Sequence, residues 1–328
     1  MAGFKALLAT KTDEGQSVDW VEMTEDDLME GDVTIRVTHS TLNYKDGLAI
    51  TGKGPIIRKW PMIPGVDLAG VVESSKSSEF KKGDNVTVNG WGLSETHYGG
   101  YAEFARVSAD WVVPIPKQFN CSDAMAIGTA GYTAMLCVLA LEDHHIKPDS
   151  GPVLVTGASG GVGSVAIAVL SKLGYDVVAS TGRTEEEDYL KYLGASEIVD
   201  RAEFGGKPAM LGKERWAGAI DSVGSTTLAN VLSQTKYYGC VAACGLAQGA
   251  DLPTSVMPFI LRGITLQGVE SIMAPKARRV QAWERLAKDL EVGKLRAMAV
   301  AHPLEDVLEL APQIVQGKVR GRVVFNVS

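Results

Sequence analysis

Gly157-Ala158-Ser159-Gly160-Gly161-Val162-Gly163 gathers four of the chain's 36 glycines into seven positions. Backbone without side chains turns sharply, admits an anion and lets a helix pack closely on a strand. These are the requirements of a dinucleotide pyrophosphate cradle. An apolar run, Val153-Leu154-Val155-Thr156, precedes the turn, and a helical pattern from about Val162 to Leu173 follows it. Such a helix start offers unpaired N–H groups and the positive end of its dipole to phosphate. Ser159, Gly160, Gly161 and Val162 are therefore the expected contacts. The pattern is AxGxxG, with Ala158, Gly160 and Gly163 at its three positions.

The end of the next strand selects the dinucleotide. Asp176 to Ser180 reads as that strand, and Ser180-Thr181-Gly182-Arg183 stands where an acidic residue would bind a ribose 2′-hydroxyl. A carboxylate there would repel a 2′-phosphate, whereas Ser180 can hydrogen-bond it and Arg183 can pair with it. NADPH is thus expected over NADH, with Ser180, Thr181, Gly182 and Arg183 at its phosphate end. Glu185, Glu186 and Glu187 follow as first-turn carboxylates, placed to suit a helix dipole.

Metal chemistry has little to work with. Cys121, Cys137, Cys240 and Cys244 are too few and too scattered for a disulfide framework. The histidines at 39, 97, 144, 145 and 302 show no ligand spacing. A net charge of −7, from 32 Lys and Arg against 39 Asp and Glu, argues against a nucleic-acid scaffold while leaving room for a local anion pocket. The residues are 45% hydrophobic and 22% charged, ordinary globular values that exclude disorder and, with no Gly triplet period, collagen. No signal-peptide pattern opens the chain, and no uninterrupted apolar run reaches the ~18 residues of a membrane span. A soluble protein of a reducing compartment, the cytoplasm, is the expectation, with neither membrane nor nucleic acid as partner.

Around the turn, the elements alternate. Thr184 to Leu193 reads as a helix with a Thr184/Glu187 capping box. Strands are expected at Glu197–Val199, Gly218–Asp221, Cys240–Ala243 and Ile264–Val269, which implies a parallel sheet covered by helices. The first 120 or so residues read instead as short strands and turns, for example Val33–Thr38, Val66–Val72 and Tyr101–Val107. A long apolar helix, Ala124 to Leu141 with Ser122 as N-cap, separates the two regimes. A charged helix, Lys276 to Glu291, and a last strand, Arg322 to Val327, close the chain. Its 328 residues suit two domains.

A strand-rich first part, a central AxGxxG domain and a strand-rich return resemble the medium-chain dehydrogenase/reductase superfamily. Zinc members carry a catalytic Cys, a Gly-His-Glu stretch and a four-Cys loop. Here Leu42-Asn43-Tyr44-Lys45-Asp46 and Pro64-Gly65-Val66-Asp67 occupy the first two places, and no Cys lies before Phe119. The chain is therefore more similar to the zinc-free quinone oxidoreductase branch, and within it to the acrylyl-CoA reductase (NADPH) group. Ser40–Ala49, Thr51–Gly54, Trp91-Gly92, Ile127–Met135, Trp216–Asp221, Cys240–Ala247 and Val256–Arg262 carry that likeness across almost the whole chain.

The resemblance implies an α/β fold: a GroES-like strand-rich catalytic domain (1–123 and 270–328) and a Rossmann doubly wound parallel-sheet domain for NADPH (124–269). It implies hydride transfer to the β-carbon of acrylyl-CoA or a related enoyl-CoA, leaving an enolate that needs hydrogen-bond donors and a proton at the α-carbon. Tyr44 stands where the family's substrate cleft faces the nicotinamide, as proton donor or enolate partner; the place equally suits a phenol that only packs against the ring or orients it. Asn43 becomes the neighbour of the carboxamide or substrate carbonyl, Leu246 lies beside the nicotinamide, and Arg322, with Arg320 as rival, reaches the cofactor. Lys45 and Asp46 read as a pair. Lys53, Arg58 and Lys59 are candidates for the CoA phosphates, as are Arg278 and Arg279, with solvated surface charge as the alternative for each. A homodimer built on the strand at Ile264–Val269 is the family expectation. An NADPH:quinone oxidoreductase and, from another class, a catalytically inactive NADPH-binding sensor stay open.

Overall fold

Short runs of Val, Leu, Ile and Ala separated by helices can be buried on both faces. In the computed structural model, which describes residues 3–327, they form a six-stranded parallel sheet. Its order across the sheet is Glu197–Asp200, Val177–Thr181, Val153–Thr156, Trp216–Asp221, Thr235–Ala243, Thr265–Gly268. The order reverses between Val153–Thr156 and Trp216–Asp221, the point at which doubly wound sheets bind ligands beyond their strand ends. Leu154, Val178, Trp216, Ala219 and Val241 pack with Phe204, Val231 and Leu232 into the core on one face.

The alternating segments form a second sheet in the order Ala299–Pro303, Arg322–Asn326, Val33–Leu42, Asp67–Ser75, Asn85–Asn89, Val113–Pro114, with Phe104–Val107 also paired to Val33–Leu42. All its pairings are antiparallel except the first. One core gathers Leu42, Tyr101, Leu304, Val307, Val323 and Phe325. Another gathers Val33, Ile35, Val37, Leu68, Val72, Val86 and Val88. The hairpin Phe4–Thr12/Gly15–Met23 adds to the first of these.

The chain divides into two compact units. The first runs to Thr129 and takes in Ile272–Gln281 and the segment from Leu295 onward; the second comprises Ala130–Ser271 and Ala282–Lys294. The expected partition, 1–123 and 270–328 against 124–269, thus differs in three places: 124–129 fall in the first unit, and 270–271 and Ala282–Lys294 in the second. Side-chain pairing explains the last placement. Arg285 grips Glu142 with two hydrogen bonds of 2.7 and 2.8 Å, and Lys294 donates to Leu193 O.

Helix starts also differ from the sequence reading. The long helix spans Cys121–Asp143, and Asn120 rather than Ser122 caps it: Asp123 N donates to Asn120 Oδ1 while Asn120 N donates to Asp123 Oδ2. By length and composition it could cross a bilayer, yet its most apolar window is almost wholly buried in the protein. Gly128 interrupts it at φ 49°, ψ −163°. Thr184–Glu186 is a 3-10 turn ahead of the helix Glu187–Leu193, so the Thr184/Glu187 box does not form.

The short helix Tyr44–Thr51 has Asn43 at its N-cap and Tyr44 as its first residue. Its eight residues are too few to persist alone. Gly47 lets it lie directly on the helix Val307–Val315: a Cβ there would sit 2.6 Å from Ile314 Cγ2 and 2.9 Å from Ala311 O. Gln16 Nε2 donates to Ala49 O and Ile50 O at the helix's far end, 2.8 Å each. Gly47→Ala should destabilise the protein by about 1–3 kcal/mol through overpacking, read as a lower midpoint in chemical denaturation.

Candidate active site

In the second unit, the Gly-rich turn leaves the parallel sheet at the reversal point. Gly157 takes φ 59°, so it, not Ala158, provides the turn. A Cβ on Gly157 would lie 2.5 Å from Ser222 Oγ, and one on Gly163 would lie 2.5 Å from Gly157 O. The turn is thus pinned between the following helix, Gly161–Lys172, and the neighbouring strand end. Thr156 Oγ1 donates to the buried Asp221 Oδ1 at 2.7 Å, and Gly224 N donates to Asp221 Oδ2 at 2.8 Å. Burial raises the Asp221 carboxyl above its ordinary range against these stabilising bonds. No side chain caps the helix at Gly160. First-turn N–H groups of Gly161 and Val162 are thus in place for phosphate oxygens.

Arg183 folds back onto this turn. Its Nη2 donates to Ser159 Oγ at 2.9 Å and to Ser159 O at 3.3 Å, and Nε to the same hydroxyl at 3.2 Å. Ser159 Oγ also meets Thr181 Oγ1 at 3.1 Å. Ser159, Gly160, Gly161, Val162, Thr181, Gly182 and Arg183 therefore share one end of the sheet. Ser180 does not belong with them: it is buried within its strand, where its carbonyl accepts from Ala158 N. A residue missed from sequence, Arg201, joins them. Asp200 is in register with Thr181, so the chain brings Arg201 out beside Gly182, where a Cβ on the glycine would overlap its guanidinium. The signal lay in the adjacent strand's exit, which single-strand reading passes over.

Leu246 lies at the strand ends on the other side of the reversal. It is 62% exposed and lines a cavity of about 410 Å³ with Ala243, Cys244, Gly245, Gly268, Val269 and Glu270. Cys240 is buried in its strand as expected, and all four cysteines are free.

In the first unit, Asn43, Asp46, Asp67 and Arg322 make one buried network. Asn43 Nδ2 donates to Asp46 Oδ2 at 3.0 Å and to Asp67 Oδ2 at 2.8 Å, while its Oδ1 accepts from Arg322 Nη1 at 3.2 Å. Asp46 also accepts from Asn43 N and Val66 N, both at 2.9 Å. Asn43 is expected beside a carboxamide or carbonyl; its amide is instead occupied within the protein, because it heads the Tyr44 helix from a buried position. Arg322 is corrected likewise. At 3% exposure its guanidinium donates to Ala126 O, Thr41 Oγ1 and Asn43 Oδ1, so it supports the unit from within and is not presented at the surface to reach a cofactor. Gly128 accommodates it: a Cβ there would stand 2.5 Å from Arg322 Nη2.

Tyr44 is the first residue of its helix and is 40% exposed, so its phenol is presented outward from a rigid base. Lys45 does not pair with Asp46. It forms an ion pair with the buried Glu95, which also meets Arg58 Nε at 3.5 Å. Lys53, Arg58 and Lys59 are all exposed. Arg279 is fully buried, stacked over Trp91 and donating to Asn89 O, which removes it from the CoA-phosphate candidates. Among the described residues, no three His, Cys, Asp or Glu side chains gather as a metal site.

Two family models match the chain, an alcohol dehydrogenase GroES-like domain over residues 29–117 and a zinc-binding dehydrogenase over 161–288. A GroES-like unit joined in one chain to a Rossmann-type sheet is the architecture of a medium-chain dehydrogenase/reductase. The chain is 50% identical over 328 residues to the acrylyl-CoA reductase AcuI of Ruegeria pomeroyi, covering 99% of each. It is 52% identical over 325 residues to the probable acrylyl-CoA reductase AcuI of Escherichia coli, covering 99% of this chain and 100% of that one. The chain belongs to this acrylyl-CoA reductase family. Among solved structures, the yhdH oxidoreductase of Salmonella enterica in complex with NADP superposes with a TM-score of 0.97 at 52% identity, covering 99% of this chain and 100% of that one. The yhfP protein of Bacillus subtilis, with NAD bound, superposes with a TM-score of 0.95 at 42% identity, covering 99% and 100%.

Burial, followed by the charge of Asp67, raises the Asp46 carboxyl to about 7. Arg322 and Tyr101 are the other ionisable groups facing it. A carboxyl raised on folding holds its proton more tightly in the native state. Its contribution to stability is therefore complete below the ordinary carboxylate range and is lost as pH rises through about 7. The contribution of Asp46 to the melting temperature should fall between about pH 4 and about pH 7, and Asp46→Asn should remove that part of the slope. At the nucleotide end, Arg183→Ala should raise the Kd for NADPH by about 10–100-fold and leave that for NADH within about twofold, measured by cofactor fluorescence.

Proposed function

We propose that the protein reduces the C=C bond of acrylyl-CoA to give propionyl-CoA, using NADPH and no metal. The single observation that carries this is full-length identity of 50–52% to acrylyl-CoA reductases, over a chain with an intact phosphate turn. The turn fits the dinucleotide: a positive-φ glycine, an uncapped helix start and Arg183 poised on Ser159 suit a pyrophosphate and a 2′-phosphate. Bound NADPH supplies the hydride that goes to the β-carbon of the thioester. The chain's own residues must then stabilise the enolate oxygen and bring a proton to the α-carbon.

Tyr44 is our choice for that donor. A phenolic hydroxyl can donate a hydrogen bond to an enolate oxygen or give its proton to carbon. Lys53, Arg58 and Lys59, exposed in the loop that follows its helix, suit the phosphates of CoA. Leu246 and its cavity suit the nicotinamide end. We place the protein in the cytoplasm, where its free thiols would stay reduced. We also infer a homodimer. Thr265–Gly268 is an edge strand, and Val256, Ile260 and Leu261 expose apolar side chains on the segment before it.

A quinone oxidoreductase is the second reading, favoured by 43% identity to the putative quinone oxidoreductase YhfP of Bacillus subtilis. NADPH oxidation is to be measured with acrylyl-CoA, crotonyl-CoA and a benzoquinone. Acrylyl-CoA should be turned over best. Preference for the quinone would overturn the proposal, and binding of NADPH without any turnover would leave a sensor. Tyr44→Phe should lower kcat with acrylyl-CoA by about 100-fold; an unchanged rate would remove Tyr44 as proton donor. Lys53, Arg58 and Lys59 changed together to Ala should raise KM for acrylyl-CoA by about tenfold and leave an acrylyl thioester lacking the nucleotide unaffected.

A further inference from the structure

Asp67 opens the strand Asp67–Ser75 and is completely buried. Four donors surround its carboxylate. Asn43 Nδ2 and Thr129 N each reach Oδ2 at 2.8 Å, Thr129 Oγ1 reaches Oδ1 at 2.6 Å, and Asn89 Nδ2 reaches Oδ1 at 2.7 Å. A carboxylate has about four lone-pair sites, so these bonds occupy it fully. Taking such a group out of water costs several kcal/mol, and a neutral Asn or Ser could serve a simple cap. What neither can do is accept from every side at once.

The four donors divide into two groups. Thr129 N and Oγ1 belong to the turn after Gly128, where the helix is broken and both groups point at Asp67. Asn43 Nδ2 belongs to the head of the Tyr44 helix. Because the same amide also donates to Asp46 and accepts from Arg322, its orientation is fixed from three sides. Asn43 in turn sets the backbone from which Tyr44 projects, one residue on.

We propose that Asp67 is a positioning residue for the reaction: its carboxylate holds the Asn43 amide and so fixes the start of the helix that presents the Tyr44 phenol. This rests on the reading of Tyr44 as proton donor or enolate partner. Asp67 never touches substrate. It acts by narrowing where the phenol can stand, and a displacement of about 1 Å at a reacting group can cost about 100-fold in rate.

Asp67→Asn keeps the volume but turns one acceptor into a donor that faces other donors. With acrylyl-CoA, kcat should fall at least about tenfold while the Kd for NADPH stays within about twofold. Hydrogen exchange should quicken in the peptide carrying residues 43–47 and stay unchanged in the one carrying 157–163. Combining Asp67→Asn with Tyr44→Phe should cost no more than Tyr44→Phe alone, because both remove the same contribution. Multiplying losses, or unaltered exchange at 43–47, would overturn the proposal. If Asp67→Asn does not fold, Asn43→Ser keeps a capping hydroxyl but lacks the amide that reaches Asp67, and the same outcomes apply to it. A wild-type protein inactive on acrylyl-CoA would refute the reductase reading instead, while the exchange comparison still decides whether Asp67 fixes the helix start.

Discussion

Two carboxylates and one guanidinium, all buried, meet at Asn43, and the first unit is arranged so that they can. Each ion alone would be costly in an apolar interior. Together they are tolerable because nearly every oxygen and N–H has a partner: Val66 N and Asn43 for Asp46, four donors for Asp67, and Ala126 O, Thr41 and Asn43 for Arg322. The network draws on five separate stretches of the first unit, so few changes nearby can be neutral. Gly128 has no side chain because Arg322 occupies the space one would need. A polar network satisfied at nearly every atom specifies one arrangement, and here it is the arrangement beneath Tyr44.

The second unit solves a different problem, approach to an anion, and does so with backbone rather than charge. Gly157 turns, Gly163 allows contact with the strand end, and the uncapped helix start points donors outward. Charge enters only at the edge, through Arg183 and Arg201. The division matches what each part must do: pyrophosphate recognition is common to all dinucleotides, and only the outer rim has to tell them apart.

Much of this was legible in the chain. Period-two alternation marked the antiparallel strands, continuous apolar runs marked the parallel ones, and the glycine turn named its own ligand class. What stayed hidden was three-dimensional satisfaction. Asn43 and Arg322 have the chemistry of cofactor ligands, and nothing local in the sequence shows that their hydrogen bonds are consumed by Asp46, Asp67 and a carbonyl 196 positions away. Lys45 sits beside Asp46 in sequence, but on a helix neighbouring residues diverge by 100°. The lysine meets Glu95, 50 positions on, while Asp46 turns inward. Ser122 and Asn120 are both good caps, and only reciprocal bonding with Asp123 decides between them.

The contacts of Arg183 bear on how one dinucleotide is told from another. Its guanidinium already rests on Ser159, so any ligand arriving at that rim competes with bonds that exist. A neutral ribose hydroxyl would offer in exchange about what it displaced. A phosphate dianion offers a charge-assisted, forked partner and can win the arginine away. On the proposed pairing of Arg183 with a 2′-phosphate, discrimination would arise partly from the resting arrangement itself, a threshold that only a sufficiently charged ligand crosses.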